Sequence, residues 1–73
     1  MADFRASYET LILRRERMRL YVTLNRPEVK NALNPTLLAE LREVVDILKG
    51  RDDIKAVILR GAGGTFCAGA DLK

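Results

Sequence analysis

The sequence predicts an α/β fold, and three observations predict it. Two short runs of alternating polar and apolar residues lie close together near the N-terminus. An amphipathic stripe of helical period follows a loop rich in turn-forming residues. After the stripe comes the continuous apolar run Ala56-Val57-Ile58-Leu59, the pattern of a strand in a helix-covered parallel sheet. Strand, helix and strand in that order make a βαβ unit, whose crossover is expected to be right-handed.

The first strand is read over residues 9–15, where Leu11 and Leu13 share one face and Thr10 and Ile12 the other. Residues 18–25 repeat the pattern, with Leu20, Val22 and Leu24 on one side and Tyr21 and Thr23 opposite. A tight reversal at Glu16-Arg17 makes these runs a hairpin, and no Asn-Gly pair fixes its turn type. Pro27 ends the second strand because it has no ladder donor. Asn31, Asn34 and Pro35 are loop chemistry, and Asn34-Pro35 reads as a helix cap followed by proline at the first helical position. Leu37, Leu38, Leu41, Val44, Val45 and Leu48 then form a one-sided stripe, while Glu40, Arg42, Glu43, Asp46 and Lys49 take the other face. Gly50 ends the helix, with Lys49 near its negative pole.

Asp52-Asp53 leads into the apolar strand, which is expected to be buried on both faces. A glycine-rich loop and the brief apolar step Thr65-Phe66-Cys67-Ala68 follow. Gly69-Ala70-Asp71-Leu72-Lys73 opens like another helix and reads as an unfinished element, with Asp71 at its positive end. With no internal repeat, low-complexity tract or linker, residues 1–73 read as the leading portion of a larger α/β unit.

Composition narrows the class. The 73 residues are 48% hydrophobic, 32% charged and 5% aromatic, which excludes a disordered tail. A chain of this mass would bury only about 60% of its extended surface. With about 60% of the buried area apolar, transfer at ~25 cal/mol/Å² contributes about 110 kcal/mol. Ordering the chain at ~1.5 kcal/mol per residue costs about the same, so a free-standing small interaction domain is disfavoured. Cys67 is the single cysteine, which excludes an intramolecular disulfide, and without histidine a zinc site is not expected. No apolar run reaches the length of a membrane span and the N-terminus lacks the order of a signal peptide, so the cytoplasm is the expected compartment. The net charge of +3 suits anionic partners. Arg14, Arg15, Arg17 and Arg19 read as solvated strand tips; a nucleic-acid patch would add interleaved aromatics, and only Tyr21 is nearby.

The absence of histidine removes any His-based triad, and nothing has metal-ligand spacing. Cys67, with no basic partner, reads as a small buried thiol rather than a nucleophile. The loop Gly61-Ala62-Gly63-Gly64-Thr65-Phe66 fails as a dinucleotide fingerprint, because Phe66 stands where a small residue must pack against a helix. Ala68-Gly69-Ala70-Asp71 is more informative. Small side chains between a strand and a helix leave backbone N–H groups open to an oxygen gaining negative charge. The same residues equally serve a tight turn, and both readings stand on physics alone.

Asn25-Arg26-Pro27-Glu28-Val29-Lys30-Asn31-Ala32-Leu33-Asn34, the run Ala56-Val57-Ile58-Leu59, and then Gly63-Gly64-Thr65-Phe66-Cys67-Ala68-Gly69-Ala70-Asp71-Leu72-Lys73 resemble the crotonase superfamily, whose best-known members are enoyl-CoA hydratases and isomerases. The resemblance covers residues 9–73. It implies a crotonase-type ββα superhelix, of which the hairpin and βαβ unit are the N-terminal part, with the domain cut short after Lys73. It implies stabilisation of an acyl-CoA thioester enolate by two backbone N–H groups, the Ala70 amide being the first. By the same resemblance the backbone around Ala68 and Leu72 meets the adenine ring, and Lys30 and Lys73 face CoA phosphates. Asn31 and Asn34 are assigned mainly to loop and cap hydrogen bonds, with contact to substrate the lesser alternative.

The activity implied is reversible hydration of a 2-enoyl-CoA by the full-length protein, with no cofactor beyond the CoA carried by the substrate and no metal. The second donor and the catalytic acid/base residues are absent from these residues, so the chain alone is expected to be inactive. A homotrimer or dimer of trimers is implied, with no nucleic-acid or membrane partner. The alternatives are an isomerase or another crotonase-type reaction, or a non-catalytic RNA- or CoA-binding member of the superfamily.

Overall fold

The computed structural model describes residues 3–67 and Gly69. Three strands, β1 (Leu11–Glu16), β2 (Arg19–Leu24) and β3 (Ala56–Gly61), form a sheet in the order β1-β2-β3. Helix α1 (Pro35–Lys49) connects β2 to β3, which run parallel, while β1 and β2 are antiparallel. Short 3₁₀ turns occupy Pro27–Val29 and Ala62–Gly64. The expected order of elements is therefore the observed one.

Apolar alternation sets the hairpin register. Leu11 pairs with Leu24 and Leu13 with Val22, which puts Glu16 opposite Arg19. The reversal thus falls at Arg17-Met18, one residue later than the sequence pattern suggests. Arg17 takes the left-handed conformation there, with φ 58°. The Met18 carbonyl accepts the Lys55 N–H at 2.7 Å, so the hairpin turn also anchors the entrance to β3.

The core lies between the sheet and α1. Leu11, Leu20, Val22 and Leu24 from the sheet meet Leu37 and Val44 from the helix, and all six are buried. At the N-terminus of α1, the Asn34 side chain accepts the Leu37 N–H at 2.8 Å and Pro35 takes the first turn. Its other end closes through Gly50 N–H to the Ile47 carbonyl, without a left-handed residue.

Two expectations need correction. β3 is not buried on both faces: Val57 and Leu59 are 48% and 46% exposed. They share rows with Leu20 and Val22, but β3 is an edge strand and the helix residues cluster on β1 and β2. The buried face of α1 is also rotated from the expected stripe. Leu38 and Val45 are exposed, whereas Ile47 and the charged Glu40 are buried. Glu40 turns inward because the start of β1 offers it donors: its carboxylate accepts the Glu9 and Thr10 N–H groups, each at 2.8 Å, and the Thr10 hydroxyl.

On the opposite sheet face Tyr21 lies between two guanidiniums, Arg14 at 4.6 Å and Arg60 at 4.9 Å from the ring centre. Arg14, Arg15, Arg17 and Arg19 are all exposed, as their pattern implies. The N-terminal segment docks through Arg5, which donates to Glu43 at 2.7 Å and stacks over Tyr8. Asp53, between Arg51 and Arg15, is held well below the usual carboxylate range by their hydrogen bonds.

Candidate functional site

The described parts of the two loop motifs singled out in the sequence are residues 25–34 after β2 and residues 62–67 with Gly69 after β3. Parallel pairing of β2 with β3 sets Leu24 opposite Gly61, so both loops leave the same end of the sheet. Close approach demands glycine there. A Cβ on Gly61 would collide with the carbonyl oxygens of Thr65 and Phe66, and one on Gly63 would lie 2.8 Å from the Pro27 side chain.

Asn31 joins the loops. It is fully buried, and its Oδ1 accepts the Arg26 N–H at 2.8 Å. Its Nδ2 donates to the Ala62 carbonyl at 2.9 Å and the Thr65 carbonyl at 2.7 Å. Every conventional donor of the amide is thus used. The Arg26 guanidinium donates to the Ala32 carbonyl, closing the first loop on itself. Lys30 and Asn31 both take left-handed backbone, with φ 52° and 58°, which turns the chain sharply at the end of the 3₁₀ turn.

Cys67 is half-buried against the core and points its thiol at the first loop. Its Sγ donates to the Asn31 carbonyl at 3.2 Å and accepts the Gly69 N–H at 3.4 Å. Gly69, at φ 106°, has its carbonyl held by the Leu33 N–H at 2.8 Å. That φ rather than lack of space requires glycine, since nothing lies within 4 Å of a Cβ built there.

Of the residues expected at the site, Lys30 is described, and its side chain is exposed on the loop that Asn31 anchors. Ala68, Ala70, Leu72 and Lys73 lie outside the described residues, as does Asp71. Asn34 and Asn31 do the cap and loop work expected of them, although the partners of Asn31 across the loops are not readable from its local sequence. Among the described residues no group of three His, Cys, Asp or Glu could hold a metal, and no helix is long and apolar enough to cross a membrane. What this arrangement offers chemically is main chain: two loops cross-tied so that a glycine peptide is held in place beside a basic side chain's loop.

A sequence profile described as "Enoyl-CoA hydratase/isomerase" matches residues 15–73, which takes in both loops and everything between them. The chain belongs to the enoyl-CoA hydratase/isomerase family. Across all 73 residues it is 41% identical to Enoyl-CoA hydratase EchA19 of Mycobacterium tuberculosis, covering 27% of that protein. It is 46% identical over 54 residues to (E)-benzylidenesuccinyl-CoA hydratase of Thauera aromatica, covering 73% of this chain and 21% of the relative. Solved structures agree. An enoyl-CoA hydratase/isomerase from Marinobacter aquaeolei superposes with TM-score 0.83 at 45% identity, covering 88% of this chain and 24% of that one. Pseudomonas aeruginosa AtuE gives 0.85 at 42%, covering 88% and 25%. The three strands and helix are thus the N-terminal part of a crotonase fold. The chain spans about a quarter of the length of the curated relatives it matches.

Proposed function

We propose that the protein carrying this chain is an enoyl-CoA hydratase. Water adds reversibly across the C2–C3 double bond of a 2-enoyl-CoA, hydroxyl to C3 and proton to C2. As the hydroxyl forms its bond to C3, negative charge grows on the thioester oxygen. The Ala70 N–H is one of two donors that stabilise it there, and its methyl side chain keeps the approach open. Lys30 and Lys73 hold CoA phosphates as flexible point charges, and the backbone around Ala68 and Leu72 meets the adenine. CoA comes with the substrate, so no separate cofactor takes part.

The observation that supports this reading is the family match running unbroken through both loop motifs. The second donor and the groups that move protons belong to polypeptide outside these residues. The active form is a homotrimer or a pair of trimers in the cytoplasm.

Ala70→Pro in the full-length enzyme removes the N–H and is expected to lower kcat for a short 2-enoyl-CoA by about 10²–10³. Unchanged turnover in a folded variant overturns the assignment. Conversion of that substrate to a 3-enoyl-CoA, with no 3-hydroxyacyl product, would assign the isomerase reaction instead.

A further inference from the structure

Residues 3–10 form neither strand nor helix, yet they are tied to the rest of the fold. Arg5 donates to Glu43 at 2.7 Å, stacks over Tyr8, and brings its guanidinium within 4.0 Å of Glu40. The Glu40 carboxylate accepts the Glu9 and Thr10 N–H groups, each at 2.8 Å, and the Thr10 hydroxyl. Asp3 accepts from Arg51 at 3.0 Å, and Arg51 lies over the Phe4 ring. Phe4 and Tyr8 pack against the core. The arm joins the sheet at its root, where the Thr10 carbonyl accepts the Asn25 N–H at 2.8 Å. Three carboxylates, Asp3, Glu40 and Glu43, thus carry these side-chain ties.

The body beneath is built otherwise. Its six buried core residues are all apolar, and two ladders join its strands. The acid that braces it, Asp53, bonds Arg51 and Arg15 of β1, and those guanidiniums hold it well below the usual carboxylate range. It therefore stays charged in acid that reaches the arm. Glu43 is lowered chiefly by its bond from Arg5, with Tyr8 and Glu40 the other groups facing it. For Glu40, burial acts upward and is outweighed by the Thr10 hydroxyl, the two amides and Arg5. Asp3 is lowered by the Phe4 N–H and then by Arg51, with Asp53 opposing. Each such tie is complete above the unfolded carboxylate value of about 4 and is lost as pH falls through the folded one.

We propose that residues 3–10 are an acid-released strap: protonation of Glu40 and Glu43 frees the arm from α1 while the sheet and helix stay folded. Phe4 and Tyr8 leave with it, so the released form bares two aromatic rings and the surface that they cover.

The test is hydrogen exchange, resolved by overlapping peptides, on the full-length protein from pH 7 down to about pH 3.5, with rates corrected for the intrinsic effect of pH. Protection of the Glu9 and Thr10 amides is expected to fall about tenfold or more, while β2, paired on both sides, keeps its protection within about twofold. Sodium chloride at about 1 M and pH 7 is expected to leave the arm protected, because a buried, hydrogen-bonded carboxylate is little screened. Thr10→Val removes a hydroxyl that helps to keep Glu40 charged and is expected to move the opening to higher pH. Glu40→Gln cannot titrate, so its arm is expected to be less protected already at pH 7 and to lose most of its pH dependence. The proposal is overturned if arm and β2 lose protection together, if the arm stays protected in acid, or if salt alone opens it. An unmoved midpoint in Thr10→Val refutes Glu40 as the latch. If Glu40→Gln does not fold, the parent and Thr10→Val titrations decide the matter.

Discussion

Glu40 shows how far a single residue can depart from what its type suggests. Its carboxylate is buried at the junction of α1 and β1, reached by the Glu9 and Thr10 N–H groups and the Thr10 hydroxyl, with Arg5 4.0 Å away. Burial pushes the carboxyl up, but the Thr10 hydroxyl, the two amides and Arg5 together outweigh it and hold the group below the ordinary glutamate value. A depressed folded pKa means that the unfolded chain binds the proton first. This contribution to stability is therefore complete above the unfolded value of about 4.3, and is lost as pH falls through the folded one. Glu40→Gln leaves a buried N–H without its acceptor and is expected to cost about 1–3 kcal/mol at pH 7. Thermal melts at pH 7 and near pH 3.5 check this: the gap between parent and variant should narrow at the lower pH. The sequence places Glu40 with Arg42 and Glu43 on a polar face, because its partners lie thirty and thirty-one residues away. Asn31 is a milder case. Asparagine in a loop between prolines announces local hydrogen bonding, but the Ala62 and Thr65 carbonyls that it grips become neighbours only when β3 pairs with β2.

Elements whose signals are local were the most legible. Asn34-Pro35 and Gly50 mark the ends of α1 because a side-chain acceptor, a residue lacking an N–H and a flexible stop act within one turn of themselves. Asn34→Ala should accordingly lower stability by about 1 kcal/mol while the helix content of the native state stays the same. Chemical denaturation followed by circular dichroism measures both. Strand β3 was legible as a strand but not as an edge. An unbroken apolar run records that a segment avoids water, and leaves unstated which neighbour supplies the cover. The helix covers β1 and β2 instead, so Val57 and Leu59 stay open although they stand in the same rows as buried Leu20 and Val22. The hairpin turn moved by one residue for a related reason: cross-strand pairing of Leu11 with Leu24 decides the register, and the turn takes what is left.

At the scale of the whole molecule, the site divides into what this chain supplies and what it does not. It supplies one cross-tied pair of loops and a basic side chain on one of them. Its 73 residues include no histidine, and the proton-moving groups of the proposed hydration are expected elsewhere in the polypeptide. The purified 8.2 kDa chain, its mass verified by mass spectrometry, should therefore show no hydration of crotonyl-CoA above the buffer rate. Activity in that species would mean the chemistry has been assigned to the wrong residues. The family resemblance was legible because both loop motifs are contiguous in sequence. Their mutual bracing was not, since it is created by parallel strands that bring distant segments to one end of the sheet. The stacked arginines carry an optical consequence. The chain has no tryptophan, and each of its two tyrosines is seated against guanidinium groups, Tyr8 under Arg5 and Tyr21 between Arg14 and Arg60. Intrinsic emission thus comes from two seams. One reports the N-terminal arm settling on α1, the other the closing of three strands, and replacing either ring with phenylalanine leaves a fluorophore that watches a single event.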